Sequence, residues 1–225
     1  MLMSVVQNFK QRLAKLRNAK RLARNEDGTV LIEFAAGLTF FMLIGFGGVE
    51  YMNYITIHTR ISQIALTVAD NASRSQNGTS LTLPQMRQVD VNDIFKGAEL
   101  QSQQFKLNEK GKIILSSLEV NSSGSQVIRW QRCFGNGPYS SSFGKEGATP
   151  SGGMGPAGNK VTAQTGSAVM FVEVIYPYEP FLYGEWMSES SKKIQYTAAF
   201  QVRDARDLAA GLTNPSPQAP VQMCP

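Results

Sequence analysis

Two hydrophobic patterns meet in the N-terminal part of the chain. Val30-Leu-Ile-Glu-Phe-Ala-Ala-Gly-Leu-Thr-Phe-Phe-Met-Leu-Ile-Gly-Phe-Gly-Gly-Val49 is a run of twenty residues with one charge, Glu33. Beyond it Ile57, Ile61, Ile64, Val68 and Ala72 recur at helical spacing, with Thr59, Arg60, Gln63 and Asp70 on the other faces. The two patterns predict one helix from about 29 to 74, apolar all round in its first half and amphipathic in its second. At 1.5 Å per residue the apolar part is roughly 30 Å long, which matches the hydrocarbon core of a bilayer. A cleaved secretory signal is the competing reading, but its apolar region is about 7 to 15 residues and ends at a small-residue site. This run is longer and continues into Glu50-Tyr-Met-Asn-Tyr54. Gly37, Gly45, Gly47 and Gly48 fit either a packing face between membrane helices or the ordinary glycine content of spans. His58 reads as a surface or packing histidine.

Asn77-Gly-Thr-Ser80 breaks the helix, and Thr82 with Pro84 supplies an N-cap and first-turn signal for a shorter helix through about Phe95. Four strand-like runs follow, Lys112 to Val120, Gln126 to Cys133, Ser167 to Tyr178 and Lys193 to Arg203, with Asn121-Ser-Ser-Gly124 as a hairpin turn. In the last run Ile194, Tyr196, Ala198, Phe200 and Val202 alternate with polar residues. One face should therefore pack on the long helix and the other should meet water. Residues 135–159 hold eight Gly, three Pro and four Ser, a composition that predicts a long flexible loop without a core of its own. It serves as a partner contact or as a tolerated surface insertion. The expected fold class is α+β, a long N-terminal transmembrane helix continuing into a small exported domain with an antiparallel sheet, a pilin-like arrangement. Its divisions are a basic leader at 1–28, the span at 29–49, its helical continuation at 50–76 and the exported domain at 77–225.

Charge orients the span. Residues 1–28 carry seven Lys/Arg against Glu26 and Asp27, while the remaining 197 residues hold fifteen basic and fifteen acidic side chains. Only Arg60 and Arg74 follow the span within the next twenty-five residues, so the excess of positive charge keeps the N-terminus in the cytosol and exports the rest. A neutral body lacks the basic footprint that phosphate backbones require, which argues against nucleic acid as a partner. One His and two distant Cys leave no set for a His/Cys metal centre or a Cys/His nucleophile, and neither a metal, a cofactor nor enzymatic activity is expected. Cys133 and Cys224 are an even pair in a segment expected to reach an oxidising compartment, which reads as a disulfide; the competing reading is two separate thiols.

The chemistry concentrates at Gly28 and Glu33. A glycine ends the polar leader, and a carboxylate stands five residues into the apolar run. On insertion scales an acidic side chain at a helix centre in membrane costs about 2.5 to 3.5 kcal/mol, less near the interface, so such a group usually has a partner or a task. A cut after Gly28 would supply one. It would create an α-amino group on Thr29, on the same helix face as Glu33 and roughly 6 Å away along the axis. Glu33 would neutralise that amine or a neighbouring subunit's. In an uncut anchor Glu33 would instead snorkel to the cytosolic headgroups.

The basic leader, Gly28, Glu33-Phe34 and the apolar helix together resemble the class III prepilin signal of the type IVb, Tad/Flp group. Gly28-Thr-Val-Leu-Ile-Glu-Phe-Ala-Ala-Gly-Leu38, Trp130-Gln-Arg-Cys133 and Val172-Glu-Val-Ile-Tyr-Pro-Tyr178 resemble TadE-like minor pseudopilins. The resemblance implies cleavage after Gly28 by a prepilin peptidase and entry into a Tad pilus machine of a bacterial inner membrane. Its implied partners are other Tad pilins and pseudopilins, the inner-membrane assembly platform and membrane lipid. Major Flp pilins carry Glu-Tyr where this chain has Glu33-Phe34 and are far shorter, which argues for a minor component supporting pilus biogenesis and surface adhesion. Two other classes compete. One is a signal-anchored periplasmic binding module with an uncleaved N-terminus, using the aromatic stretch Tyr176-Pro-Tyr-Glu-Pro-Phe-Leu-Tyr183 to hold sugar or peptide. The other is a tethered hydrolase with Glu173 and Glu179 as its acid pair.

Overall fold

The computed structural model describes residues 28–75, 83–182, 184–185, 187–203 and 205–225. The leader at 1–27, the Asn77–Ser80 break and the Thr82 cap lie outside them. Helix α1, Thr29–Arg74, takes up the whole predicted length. Its apolar half is exposed and is long and apolar enough to cross a membrane. From Glu50 onward the character changes, and Ile61, Ile64, Ala65, Val68, Ala69 and Ala72 form a buried stripe at steps of three and four. The chain divides into two compact units between Val49 and Glu50.

The C-terminal unit is mixed α+β. A two-residue strand β1 (Met86–Arg87) leads into α2 (Gln88–Ser102), a 3-10 turn at Gln103–Phe105 and the single-turn α3 (Leu107–Lys110). Strands β2 (Lys112–Val120), β3 (Gln126–Phe134), β4 (Val169–Pro177) and β5 (Lys193–Gln201) form one antiparallel sheet in the order β3-β2-β4-β5, with the short α4 (Glu189–Lys192) just ahead of β5. A last short strand β6 (Leu212–Thr213) pairs in parallel with β1. All four predicted strand runs are present with ends shifted by two residues or fewer. The hairpin at Asn121 is as expected: its Oδ1 accepts from the Ser123 and Ser125 backbone N–H groups, and Gly124 takes the positive φ of 82° that closes the turn.

The shorter helix corrects its prediction. Pro84 does not open it; Arg87 does, with its N–H donating to the Asp90 carboxylate and its guanidinium pairing with the same group. The acidic side chain in the first turn thus caps the helix from inside, and α2 continues past Phe95 to Ser102.

One sheet face packs on the amphipathic part of α1 and on α2. Ile113, Leu115, Trp130, Val172, Val174, Tyr176, Ile194 and Ala198 share a core with Ile61, Ile64, Val68, Val91 and Phe95. Ile128 and Trp130 would share a face under strict alternation, yet they lie in different clusters. A bulge resolves this: Ser117 pairs with Trp130 and the next residue, Leu118, pairs with Ile128, so Arg129 is the extra residue of β3.

Along β2, β3 and β4 the other face is not left to water, and this overturns the expectation for 135–159, whereas Gln201 and Arg203 of the last predicted run stay exposed as expected. Ile128, Leu118, Val169 and Phe171 form a second cluster with the fully buried Met154, flanked by Phe143 and Ala148 from the glycine-rich segment. Ile128 exchanges backbone hydrogen bonds with Gly147 and Ala148, and Met154 does so with Val161. The polar contacts are equally specific. Glu173, buried in the middle of β4, accepts from the Ser141 hydroxyl and from the Ser142 N–H at 3.0 Å, while Glu146 accepts from the Gln131 N–H and pairs with Arg132 at 2.9 Å. Glycine serves here for close approach and not for looseness: a Cβ on Gly153 would lie 2.1 Å from the Val161 carbonyl oxygen. Composition correctly excluded regular secondary structure but not a core, because two or three apolar side chains suffice when the sheet supplies the rest.

Cys133 and Cys224 are joined, with Cα atoms 4.9 Å apart. The bridge packs against Ile114 and Ile175, and the Cys133 N–H donates to the Gln222 carbonyl. It closes a separation of 91 residues. In the chain-entropy model, replacing both cysteines by serine should therefore cost about 4 to 5 kcal/mol, measured by urea unfolding of the detergent-solubilised chain. Burial pushes the Glu173 carboxyl above its ordinary value of 4.5, against the opposing pull of Ser141 and Ser142. The folded state then holds this proton longer than the unfolded state, so its contribution is complete below about pH 4.5 and is lost as pH rises through the folded value. Glu173→Gln lacks that dependence. Urea unfolding from pH 4 to 8 should show the stability difference moving in favour of Gln as pH rises.

Candidate functional site

α1 carries two acids with contrasting surroundings, Glu33 and Glu50. Gly28 lies in the turn before the helix, and its carbonyl accepts the Ile32 N–H at 3.2 Å, so the first helical hydrogen bond reaches back to the glycine. Gly28 is exposed, and among the described residues a Cβ there would meet nothing within 4 Å. Thr29 begins α1, and Glu33 and Phe34 follow one turn later, both exposed. The four residues of the predicted junction therefore form one continuous exposed helix start. Thr29 and Glu33 are four apart, which puts them on one face.

Glu50 is buried. One carboxylate oxygen accepts the Tyr178 hydroxyl at 2.5 Å, and the other accepts the backbone N–H groups of Phe181 and Leu182, each at 2.9 Å. Asn53, one turn on, donates its side-chain N–H to the Tyr178 oxygen at 3.1 Å. Burial, and then the bond to Glu50, push the Tyr178 phenol up to about 12. At neutral pH it stays protonated, so it remains the donor. The Tyr54 ring stands edge-on to Tyr178 and to His58, with centroids 5.0 and 4.3 Å apart. His58 reaches the Tyr196 hydroxyl through Nδ1 at 3.2 Å, and burial lowers its pKa, as befits a packing histidine. A polar and aromatic clamp thus joins the start of the amphipathic helix to the segment after β4.

No protein-family model, curated protein or solved structure matches this chain. The site is accordingly read from its own geometry.

Glu50 escaped the sequence reading because it stands at the end of the apolar run and looks like a boundary charge. A signal was present: Glu50, Tyr54, Ile57, Ile61, Ile64 and Val68 step by four and three, so Glu50 falls on the apolar stripe. A carboxylate in register with a buried face needs donors. The other candidate sets are not assembled. Glu173 is held by Ser141 and Ser142, whereas Glu179 is exposed and pairs with Lys110. In the aromatic stretch Tyr176 is buried, with its hydroxyl donating to the Phe105 carbonyl at 2.9 Å, and Tyr178 is buried on Glu50; Tyr183 lies outside the described residues. Among the described residues no group of three His, Cys, Asp or Glu is placed to hold a metal.

The two acids should respond differently to truncation. Glu50→Ala leaves a buried phenol and two amides without their acceptor and should destabilise the solubilised chain by about 2 to 3 kcal/mol. Glu33→Ala, at an exposed position, should stay within about 0.5 kcal/mol of wild type in the same urea titration. Equal costs would mean that Glu50 is no anchor.

Proposed function

We propose that this chain is a TadE-like minor pseudopilin, cut after Gly28 by a prepilin peptidase and held in a bacterial inner membrane by the apolar half of α1. In this reading its leader is cytosolic and its C-terminal unit is periplasmic, where it supports assembly of a Tad/Flp pilus and surface adhesion. The reaction belongs to the peptidase, and this chain is the substrate.

The observation that carries the reading is the exposed bond between Gly28 and Thr29 at the start of α1. Among the described residues Gly28 has no close neighbour, and it stands where the polar leader gives way to α1. A peptidase site that tolerates no side chain at the cleaved bond would accept that glycine. Electrostatics supports the same reading. Cutting at Gly28 removes the carbonyl that now accepts the Ile32 N–H and places a positive amine at a helix N-terminus, where the helix dipole disfavours it. Glu33 on the same face offsets both the amine and the dipole, alone or across to a neighbouring subunit. The exposed apolar half of α1 would then face lipid or other pilins, and its second half is built into an α+β unit.

Intact-mass analysis of the membrane-extracted protein should give a chain beginning at Thr29. Gly28→Leu should retain the leader. Glu33→Ala should still be trimmed but should reduce pilus number on the cell surface. A mature chain beginning at Met1 would make this an uncleaved anchored module and would end the pseudopilin reading.

A further inference from the structure

The segment after β4 ends in two apolar side chains that its own anchoring does not bury. Phe181 is 83% exposed and Leu182 46%, although their backbone N–H groups are fixed on the Glu50 carboxylate. Glu50 directly follows Val49, the last residue of the apolar run. On α1 itself Tyr51, Met52 and Ile55 are exposed within the next turn and a half, while Glu50 and Ile61 face the core. Large apolar side chains therefore stand exposed on the helix and on the clamped segment at one level of the chain, against the usual preference of a water-facing surface. Buried hydrogen bonds to a carboxylate are a costly means of holding an exposed Phe-Leu pair unless the pair has a surface to meet.

We propose that Phe181 and Leu182, together with Tyr51, Met52 and Ile55, form a collar that inserts into the interfacial layer of the lipid bilayer, with Glu50 as the fastening that sets its depth. The inference rests on the membrane-span reading of 29–49. Its physical basis is reach: two amides 2.9 Å from the Glu50 carboxylate cannot lie far from the end of a span that stops one residue earlier. Aromatic and aliphatic side chains at that depth bury apolar area among headgroups and upper acyl chains, as interfacial anchors do. The collar would tie the folded unit to the bilayer at a second point. Tyr176 and Tyr178, which share the aromatic stretch, are buried in protein. The stretch thus divides between core and membrane.

The test uses the full chain, disulfide intact, in phosphatidylethanolamine–phosphatidylglycerol vesicles, with an environment-sensitive fluorophore on Phe181→Cys, Val49→Cys or Leu100→Cys. Leu100 is an exposed residue of α2 and reports water. The expected result is blue-shifted emission at 181 and 49, each quenched several-fold more by spin-labelled lipid than the label at 100. Adding Glu50→Ala should release the label at 181 to aqueous iodide while the label at 49 stays protected. Lipid quenching at 49 with iodide quenching at 181 would overturn the collar and leave the span standing. Iodide access at both positions would remove the span and the collar with it. Protection at 181 that ignores spin-labelled lipid and rises with protein density would point to a second copy of the chain and also overturn the proposal. Unchanged lipid quenching at 181 in Glu50→Ala would refute the fastening role.

Discussion

The carboxylate of Glu50 receives a phenol and two backbone amides at the residue where α1 changes from apolar all round to amphipathic. A helix of 46 residues that is exposed in its apolar part and buried along one stripe in the rest has a defined changeover, and it falls at Glu50. Three donors on one buried acid define it. Tyr178 stays protonated throughout the neutral range, so it remains the donor there. From this point the stripe through Ile61, Ile64, Val68 and Ala72 fixes which helix face meets the sheet. At its far end the helix is held again, where the Arg206 guanidinium donates to the carbonyls of Ala72, Ser73 and Ser75. A cation on the last carbonyls suits both the open acceptors and the dipole.

Much of this architecture was legible in the sequence, and each success has a physical source. The strands were recognised because period-two alternation survives wherever one face is covered more completely than the other, as in β5. The long helix was recognised because two apolar patterns joined without a breaker. The misses have equally specific sources. The start of α2 was assigned to Pro84 because proline and threonine are the commoner opening signals, whereas Asp90 capping from within reads in sequence as one more surface acid. The glycine-rich segment was assigned no core because composition reports average hydrophobicity, while Met154 and Phe143 act singly in a cavity that the sheet has already lined. The buried acid in β4 was the available warning. Glu173 interrupts an apolar run in a central strand, and its donors had to come from outside the sheet.

The candidate site was legible in one half only. Glu33 drew attention because it is the one charge inside an apolar run, and isolation is visible in a linear sequence. Glu50 is the more constrained of the two acids, yet it lies at an edge where a charge is expected. What separates them is partnership: Glu50 has its donors inside the chain, and Glu33 has no ion pair or side-chain hydrogen bond among the described residues. An acid whose donors are built into the fold stabilises that fold. An acid at an exposed helix start is available to something outside it.

The same reasoning applies to glycine. Gly153 and Gly135 are required by the fold, since a Cβ would fall 2.1 and 2.5 Å from backbone carbonyl oxygens and both residues hold a positive φ. Gly28 meets no such contact among the described residues; its carbonyl accepts the Ile32 N–H, which makes it the N-cap of α1, a position where glycine is favoured over alanine. The cap accounts for a small residue at this position, and its exposure leaves the Gly28–Thr29 bond open to an outside agent such as the proposed peptidase. In the proposed trimmed chain, the exposed acid four residues beyond the new terminus would meet a positive group, which it does not have among the described residues.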